Sequence, residues 1–233
     1  MSDEQIITQD EMDALLSGVS EGEVEAETGT PTPDGEVQSY DFVHPQHQLD
    51  TDLPVLHVIN EKLAKLLGPA LSLVVHKPIR AEVVALDTLK YKEYAESLEN
   101  GTSLNRVKLH PLPGNAMFNL ESGITLAMVD VFFGGHGKMP EGPLSRDYSI
   151  TEQRFIGKLL DASFDCLTNA WSEVCDIKPE FIRSETSLRA TSPSNPADVM
   201  ITTRFKLSLP SGEGEMHIAI PYSMIEPIKT LLT

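Results

Sequence analysis

Apolar residues recur at helical spacing in the stretch that begins at Leu53. Large aliphatic side chains follow one another three or four positions apart up to Ala70, while Asn60, Glu61 and Lys65 stand between them. This spacing predicts a long amphipathic helix. Gly68-Pro69 lies inside it, and we expect this dipeptide to kink or split the helix, because proline lacks the N–H that a helix interior needs.

Segments with strand periodicity follow this helix. Apolar and polar residues alternate over residues 79–85, 106–109 and 116–120, and Pro113-Gly114 marks a turn between the last two segments. Ile124 to Phe133 then forms a short apolar stretch of helical character. The first half of the body, about residues 53–133, is therefore predicted to contain a long helix, three strands and a short helix.

The same order recurs roughly 100 residues later, over about residues 149–233. Ser149 to Glu152 form a capping box that opens a second long helix, and Met224 to Leu232 form the closing short one. Between them lie three segments with strand periodicity, at 181–187, 199–209 and 216–220. The predicted fold is of the α/β class, α+β type: a duplicated domain with a pseudo-twofold axis and one sheet covered by helices. Because its strands alternate, we expect largely antiparallel pairing.

A separate short helix is predicted near the N-terminus. Thr8 and Glu11 form a capping box, and Gly18 is a natural stop, so the helix spans residues 9–17. It presents one apolar side, made of Met12, Leu15 and Leu16. An isolated helix of this length is marginal in water. Two interpretations remain open: the helix folds into a partner's groove, or it docks on its own domain.

Charge divides the chain into two parts. Residues 1–61 contain 15 acidic residues and no Lys or Arg, whereas the remaining 20 acidic and all 18 basic residues lie in 62–233. Residues 19–39 combine acids with Gly, Pro and Thr, which predicts a disordered linker. A nucleic-acid partner is not expected, because phosphate contacts need clustered Lys or Arg. A protein with a basic groove fits the acidic helix better.

A long Gly/Pro-rich connection, residues 134–149, joins the two halves. Gly134, Gly135, His136 and Gly137 open it, followed by Lys138. It does not match a phosphate-binding P-loop, which needs another glycine where Phe132 stands and Ser or Thr after the lysine. The segment is either a plain connector or a partner-docking loop, with Met139 and Pro140 expected to be exposed beside it.

Catalytic signatures are sparse. The histidines are scattered, neither HxxxH nor HExxH occurs, and no Ser or Cys lies in a nucleophile elbow such as GxSxG. We therefore expect no catalytic residues, no metal and no cofactor. From residues alone, the chain is predicted to be a cytoplasmic binding protein.

Several motifs resemble the FliM family of bacterial flagellar motor switch proteins. The N-terminal segment IITQDEMDALLSG, residues 6–18, is similar to that family's signature, usually LSQxEIDALL, with Met12 replacing the usual Ile. Further motifs follow in the family's order: YDF at 40–42, INEK at 59–62, VD at 129–130, FGGHG at 133–137, TEQR at 151–154 and PYSMIEP at 221–227. The resemblance covers 6–18 and 40–233. It divides the chain into a regulator-binding helix motif (1–18), the linker (19–39) and a middle domain (40–233).

The resemblance implies a role in switching the direction of flagellar rotation during chemotaxis. The N-terminal helix would bind the phosphorylated response regulator CheY through six side chains: Gln9, Glu11, Met12, Asp13, Leu15 and Leu16. The loop Gly134, Gly135, His136 and Gly137 would bind the rotor protein FliG. Neighbouring FliM subunits would pack side by side in the cytoplasmic C-ring, which is peripheral to the inner membrane at the flagellar basal body.

Two departures from related families bear on this interpretation. FliM proteins carry a C-terminal FliN-like domain, which is expected to be absent here. Either the chain is a fragment that lacks the contact region for FliN, or its FliN contacts are made elsewhere. The fold is also similar to that of the CheC and CheX phosphatases, which makes dephosphorylation of the regulator the alternative function. Those enzymes use a Glu and an Asn three residues apart. Here Glu61 is followed by Ala64, and Asp165 by Thr168 with Asn169 one position further, so no phosphatase activity is expected.

Overall fold

The computed structural model describes residues 53–142, 144–185 and 198–232. Within these ranges the helices and strands follow in this order: α1 Pro54–Val75, β1 Arg80–Lys90, α2 Tyr91–Ser97, β2 Ser103–His110, β3 Ala116–Leu120, α3 Ser122–Phe132, α4 Ile150–Trp171, β4 Lys178–Glu185, β5 Val199–Leu209, β6 Gly212–Pro221, α5 Tyr222–Ile225, a 3₁₀ turn Glu226–Ile228 and α6 Lys229–Leu232. In the parts of the chain so described, no helix is both long and apolar enough to cross a membrane.

The strands form one six-stranded sheet in the order β1-β5-β6-β3-β2-β4, with antiparallel pairing between all neighbours. This confirms the predicted mixed fold and its antiparallel sheet. The order is palindromic with respect to the duplication: β1 and β4 occupy equivalent edges, and β3 and β6 meet at the centre. The first strand of each half pairs with the hairpin of the other half: β1 pairs with β5, and β4 pairs with β2.

The two long helices build the main core on one face of the sheet. Helix α1 packs against α4 and β1, and its buried stripe joins that of α4 and the alternate residues of the strands in one hydrophobic cluster. Trp171, at the end of α4, is 1% exposed. The ring of Phe118 on β3 meets that of Phe164 on α4 edge to face, with the ring centroids 5.4 Å apart. The predicted helical stripes are thus the faces that the sheet buries.

Helix α1 is not split at Gly68-Pro69, contrary to the prediction. It continues unbroken to Val75 with Pro69 inside it. Pro69 and Lys65 both lie on the exposed side, so solvent can hydrate the Lys65 carbonyl that the missing proline N–H leaves without its helical donor. On the buried side, Ser72 Oγ donates to the Gly68 carbonyl at 2.7 Å and accepts from the Ile79 N–H at 2.8 Å, which ties the helix to the chain entering β1.

The predicted start of the second long helix is confirmed. Ser149 caps α4: its Oγ accepts from the Glu152 N–H, while the Glu152 carboxylate accepts from the Ser149 N–H at 2.7 Å. The end of the chain differs from the prediction. Instead of one helix over 224–232, two four-residue helical turns flank the 3₁₀ turn that contains Pro227, because proline interrupts helical hydrogen bonding.

A smaller cluster covers part of the opposite face of the sheet, and no sequence pattern predicted it. It consists of Tyr91, Tyr94, Leu104, Met117, Met200 and Ala219. Helix α2 supplies the two tyrosines, and Asn119 Nδ2 donates to the Tyr94 hydroxyl at 2.6 Å. Desolvation raises the pKa of Tyr94, so its hydroxyl stays protonated.

Candidate functional site

The Gly-rich connection begins as a tightly hydrogen-bonded turn at the end of α3. The Gly134 N–H donates to the Val131 carbonyl at 2.9 Å, and the Gly135 N–H donates to the Asp130 carbonyl at 2.8 Å. The Gly137 N–H then donates to the Asp130 carboxylate at 2.8 Å. Asp130 therefore accepts hydrogen bonds from both Gly135 and Gly137 of the Gly134–137 segment, which we call the glycine loop.

Each glycine of the loop has a local structural reason. Gly134 and Gly137 have φ values of 93° and 76°, which side chains other than glycine adopt with strain. A Cβ on Gly135 would collide with the Asp130 carboxylate. A Cβ on Gly137 would meet Ser211 Oγ at 2.7 Å. The path of the loop therefore depends on its three glycines.

The outer part of the loop faces solvent. Gly134 and His136 are exposed, as is Pro140 further along, in agreement with expectation for Pro140. Met139 is different: it is half-buried, and its Cε would lie 3.1 Å from a Cβ on Gly123. The prediction that Met139 is exposed was therefore wrong, because the chain folds its thioether back onto the domain.

Asp130 is the residue of this site to which sequence reasoning assigned no role. It stands in the VD pair on which the family resemblance partly rests, but that pair carries no indication of a hydrogen bond seven residues ahead. The available signal was its position: an acidic residue near the end of an otherwise apolar helix, directly before several glycines.

The predicted regulator-binding side chains lie outside the described residues, together with the predicted linker 19–39. They are Gln9, Glu11, Met12, Asp13, Leu15 and Leu16. Their prediction as a binding helix remains a prediction.

The positions that would carry a phosphatase dyad lie on the two long helices. On α1, Glu61 is exposed while Ala64 is buried and apolar. On α4, Asp165 and Asn169 are exposed and Thr168 is half-buried. Neither helix therefore presents a Glu with an Asn three residues later. Asn60, beside Glu61, is itself buried and donates to Thr203 Oγ1 at 3.0 Å, so its amide serves the fold.

One group of potential metal ligands occurs among the described residues: Glu121, Glu215 and His217, whose ligand atoms lie within 4.8 Å of one another. Several of its atoms already have hydrogen-bond partners, whereas His217 Nδ1 is buried without one. The Glu121 carboxylate accepts from the Glu215 N–H at 2.6 Å, and His217 Nε2 lies 3.0 Å from the Glu215 carboxylate. Arg204 supplies positive charge 3.8 Å from the same carboxylate. Burial raises the pKa of Glu121 and lowers that of His217. We assign no metal to this group.

Comparison with known proteins identifies the family. The family model described as flagellar motor switch protein FliM matches residues 50–233. The flagellar motor switch protein FliM of Pseudomonas aeruginosa is 36% identical over 234 residues, an alignment that covers 100% of this chain and 71% of that protein. The chain belongs to the FliM family of flagellar motor switch proteins. The resemblance carried by its motifs is thereby confirmed.

Solved structures agree with this assignment. The crystal structure of the FliM middle domain from Vibrio alginolyticus has 31% identity and a TM-score of 0.69, covering 77% of this chain and 100% of that one. The FliM chain of a FliG–FliM complex from H. pylori has a TM-score of 0.73 over 77% of this chain and 98% of that one. Its 23% identity indicates the shared fold alone.

Proposed function

We propose that this family member binds FliG through Gly134, Gly135, His136 and Gly137, and phosphorylated CheY through residues 1–18. Regulator binding then favours one of two rotor orientations, neighbouring subunits follow, and the direction of flagellar rotation changes. Such a population shift requires only that the regulator bind one orientation more tightly than the other. The protein acts in the cytoplasmic C-ring at the basal body, beside other FliM subunits and FliN.

The observation that carries the FliG part of this proposal is the shape of the glycine loop. Its outer residues are exposed, yet its backbone is held by three hydrogen bonds to the last turns of α3. A loop already ordered before binding loses little conformational entropy when a partner docks. The complex from H. pylori shows a FliM relative bound to FliG, which makes FliG the partner to test first.

The regulator part rests on the N-terminal sequence. A capped helix with three large apolar side chains on one side and acidic residues beside them is the pattern of a helix that folds into a partner's groove. The alignment with the Pseudomonas aeruginosa relative includes this segment, since it extends over the whole chain.

The decisive experiment compares the intact chain with a chain lacking residues 1–18. Binding to phosphorylated CheY, unphosphorylated CheY and FliG is measured by biolayer interferometry. We expect the deletion to abolish binding of phosphorylated CheY while FliG binding and the melting temperature of the body stay unchanged. A large fall in melting temperature would show instead that the segment is a flap of its own domain. Retained CheY binding would exclude it as the docking site.

The proposal includes the absence of phosphatase activity. Neither α1 nor α4 carries the Glu and Asn spacing, and Asn60 is engaged with Thr203. The purified chain should leave the rate of CheY dephosphorylation unchanged. A clear acceleration that disappears in Asp165→Ala or Asn169→Ala would contradict this part of the proposal and favour the CheC-like alternative.

A further inference from the structure

An exposed aromatic residue stands directly before the glycine loop. Phe133 is 60% exposed, although it lies at the end of α3, whose apolar residues are mostly buried. Its ring meets that of Phe132 edge to face, with the centroids 5.3 Å apart. Phe132 in turn packs against Phe155 of α4, with the ring centroids 4.7 Å apart. The exposed ring is therefore supported by a row of aromatic rings anchored in the main core.

A lysine lies over the same row. Lys158 of α4 is exposed, and its Nζ is 5.1 Å from the centroid of the Phe132 ring. A cation at this distance is attracted by the face of the ring. The result is a small surface with an exposed apolar centre and a positively charged neighbour, which we call the aromatic ledge: Phe132, Phe133 and Lys158, supported by the buried Phe155.

The position of the ledge limits what can cover it. Phe133 is bonded to Gly134, and its N–H donates to the Val129 carbonyl at 3.1 Å, so it belongs to the same helix end that shapes the loop. A protein that docks on the exposed residues Gly134 and His136 therefore has an exposed apolar side chain directly beside its docking site. Aromatic residues within a well-packed interface commonly supply much of its binding energy.

We propose that the aromatic ledge is part of the loop's docking surface and contributes its main apolar anchor, with Phe133 entering an apolar pocket of FliG. Because Lys158 carries a positive charge beside the exposed ring, we expect the facing part of that partner to be acidic. This inference rests on the proposed function of the glycine loop and extends it to residues outside the loop.

The test uses the full chain and purified FliG in biolayer interferometry. Phe133→Ala is expected to weaken binding roughly tenfold to thirtyfold, as for an interface anchor. Lys158→Glu should also weaken binding. The loss of affinity should be larger at low salt than at high salt, because salt screens exposed charges. The matched controls are Leu73→Ala, at a side chain 77% exposed on α1, and Lys65→Glu on the same helix. Both should bind FliG as the parent chain does.

A loop variant, Gly135→Val, distinguishes the proposed role of the aromatic ledge from that of the glycine loop. If Gly135→Val and Phe133→Ala both weaken binding while melting temperatures are unchanged, the ledge and the loop form one surface. If Gly135→Val weakens binding and Phe133→Ala does not, the ledge is excluded while the proposed function stands. If neither variant affects binding, both the ledge and the glycine loop are excluded as the FliG site.

Discussion

A single carboxylate determines the shape of the candidate docking loop. The Asp130 side chain accepts from the Gly137 N–H, and its backbone carbonyl accepts from the Gly135 N–H. Because this carboxylate occupies the space inside the loop, Gly135 has no room for a side chain. The glycine at 135 and the aspartate at 130 are consequently one structural requirement, although they lie five positions apart in the sequence.

Replacing Asp130 tests this requirement. Asp130→Ala removes the acceptor of the Gly137 N–H, so we expect weaker FliG binding with a stability loss of about 1 kcal/mol, typical of one partly exposed hydrogen bond. Asp130→Asn is the matched control, since its amide oxygen can still accept and binding should largely survive. Affinity is measured by interferometry and stability by urea unfolding. Equal affinities for both variants would show that the hydrogen bond does not shape the binding loop.

Gly135 provides the complementary prediction. A Cβ at this position displaces the Asp130 carboxylate, so Gly135→Ala should already weaken FliG binding and a bulkier residue should weaken it more. The site is at the surface, and we expect the melting temperature to change little. Thermal unfolding followed by circular dichroism checks the fold of each variant. Undiminished FliG binding by Gly135→Val would remove the loop from the interface.

At the scale of elements, an ion pair at the start of α4 joins the helix to the chain before it. Glu152 accepts from the Ser149 N–H and from two nitrogens of Arg146, at 2.8 and 2.7 Å. Hydrogen bonding from Arg146, with further bonds from Ser149, lowers the pKa of Glu152 from 4.5 to about 2. The carboxylate thus connects the chain before the helix to its first turn.

This pairing predicts a pH dependence of stability. A carboxyl group with a lowered folded-state pKa stabilises the fold above its unfolded pKa, and that contribution is lost as the pH falls from about 4.5 towards 2. Glu152→Gln should be less stable than the parent at pH 7. The difference should be only about 1 kcal/mol, because solvent screens an ion pair at the surface. The difference should shrink towards pH 2.5. Urea unfolding at several pH values measures it, and a constant difference would contradict the assignment.

The elements could be predicted from sequence where local periodicity determines them. The two long helices, the strands and the capping box at Ser149 were predicted because their signals are local. Helix α2 was missed because Tyr91 and Tyr94 are buried by the far face of the sheet, a tertiary effect. The unsplit α1 was missed for a similar reason: the exposed setting of Pro69 and the Ser72 contacts cannot be inferred from Gly68-Pro69 alone.

At the scale of the whole molecule, the two halves are interleaved rather than placed side by side. Among the described residues, strand β1 of the first half pairs only with β5 of the second, and β4 of the second pairs only with β2 of the first. Periodicity predicted the duplication and the antiparallel sheet. It could not predict the strand order, because pairing between distant segments leaves no local signal. The outer shape of the glycine loop and the role of Asp130 escaped prediction for the same reason.

Interleaving predicts that neither half folds alone. A fragment of residues 53–142 keeps only the β2–β3 pair, and a fragment of 144–232 keeps only the β5–β6 pair. Two-stranded sheets are marginally stable in water, so each fragment should lack a cooperative thermal transition. An equimolar mixture should regain near-ultraviolet circular dichroism from buried Trp171, with residues 53–232 as the control. A cooperative transition in either fragment alone would refute this.

The palindromic strand order also has a consequence for the origin of the fold. A chain containing one repeat would lack the strand that pairs with the outer side of its hairpin, because that strand comes from the other repeat. Such a chain could complete the sheet only by exchanging that strand with a second copy of itself, as in a domain-swapped dimer. Duplication and fusion would then convert an obligate pair of identical chains into one polypeptide. In that scheme, the connection that carries the glycine loop is the place where the two ancestral chains would have been joined.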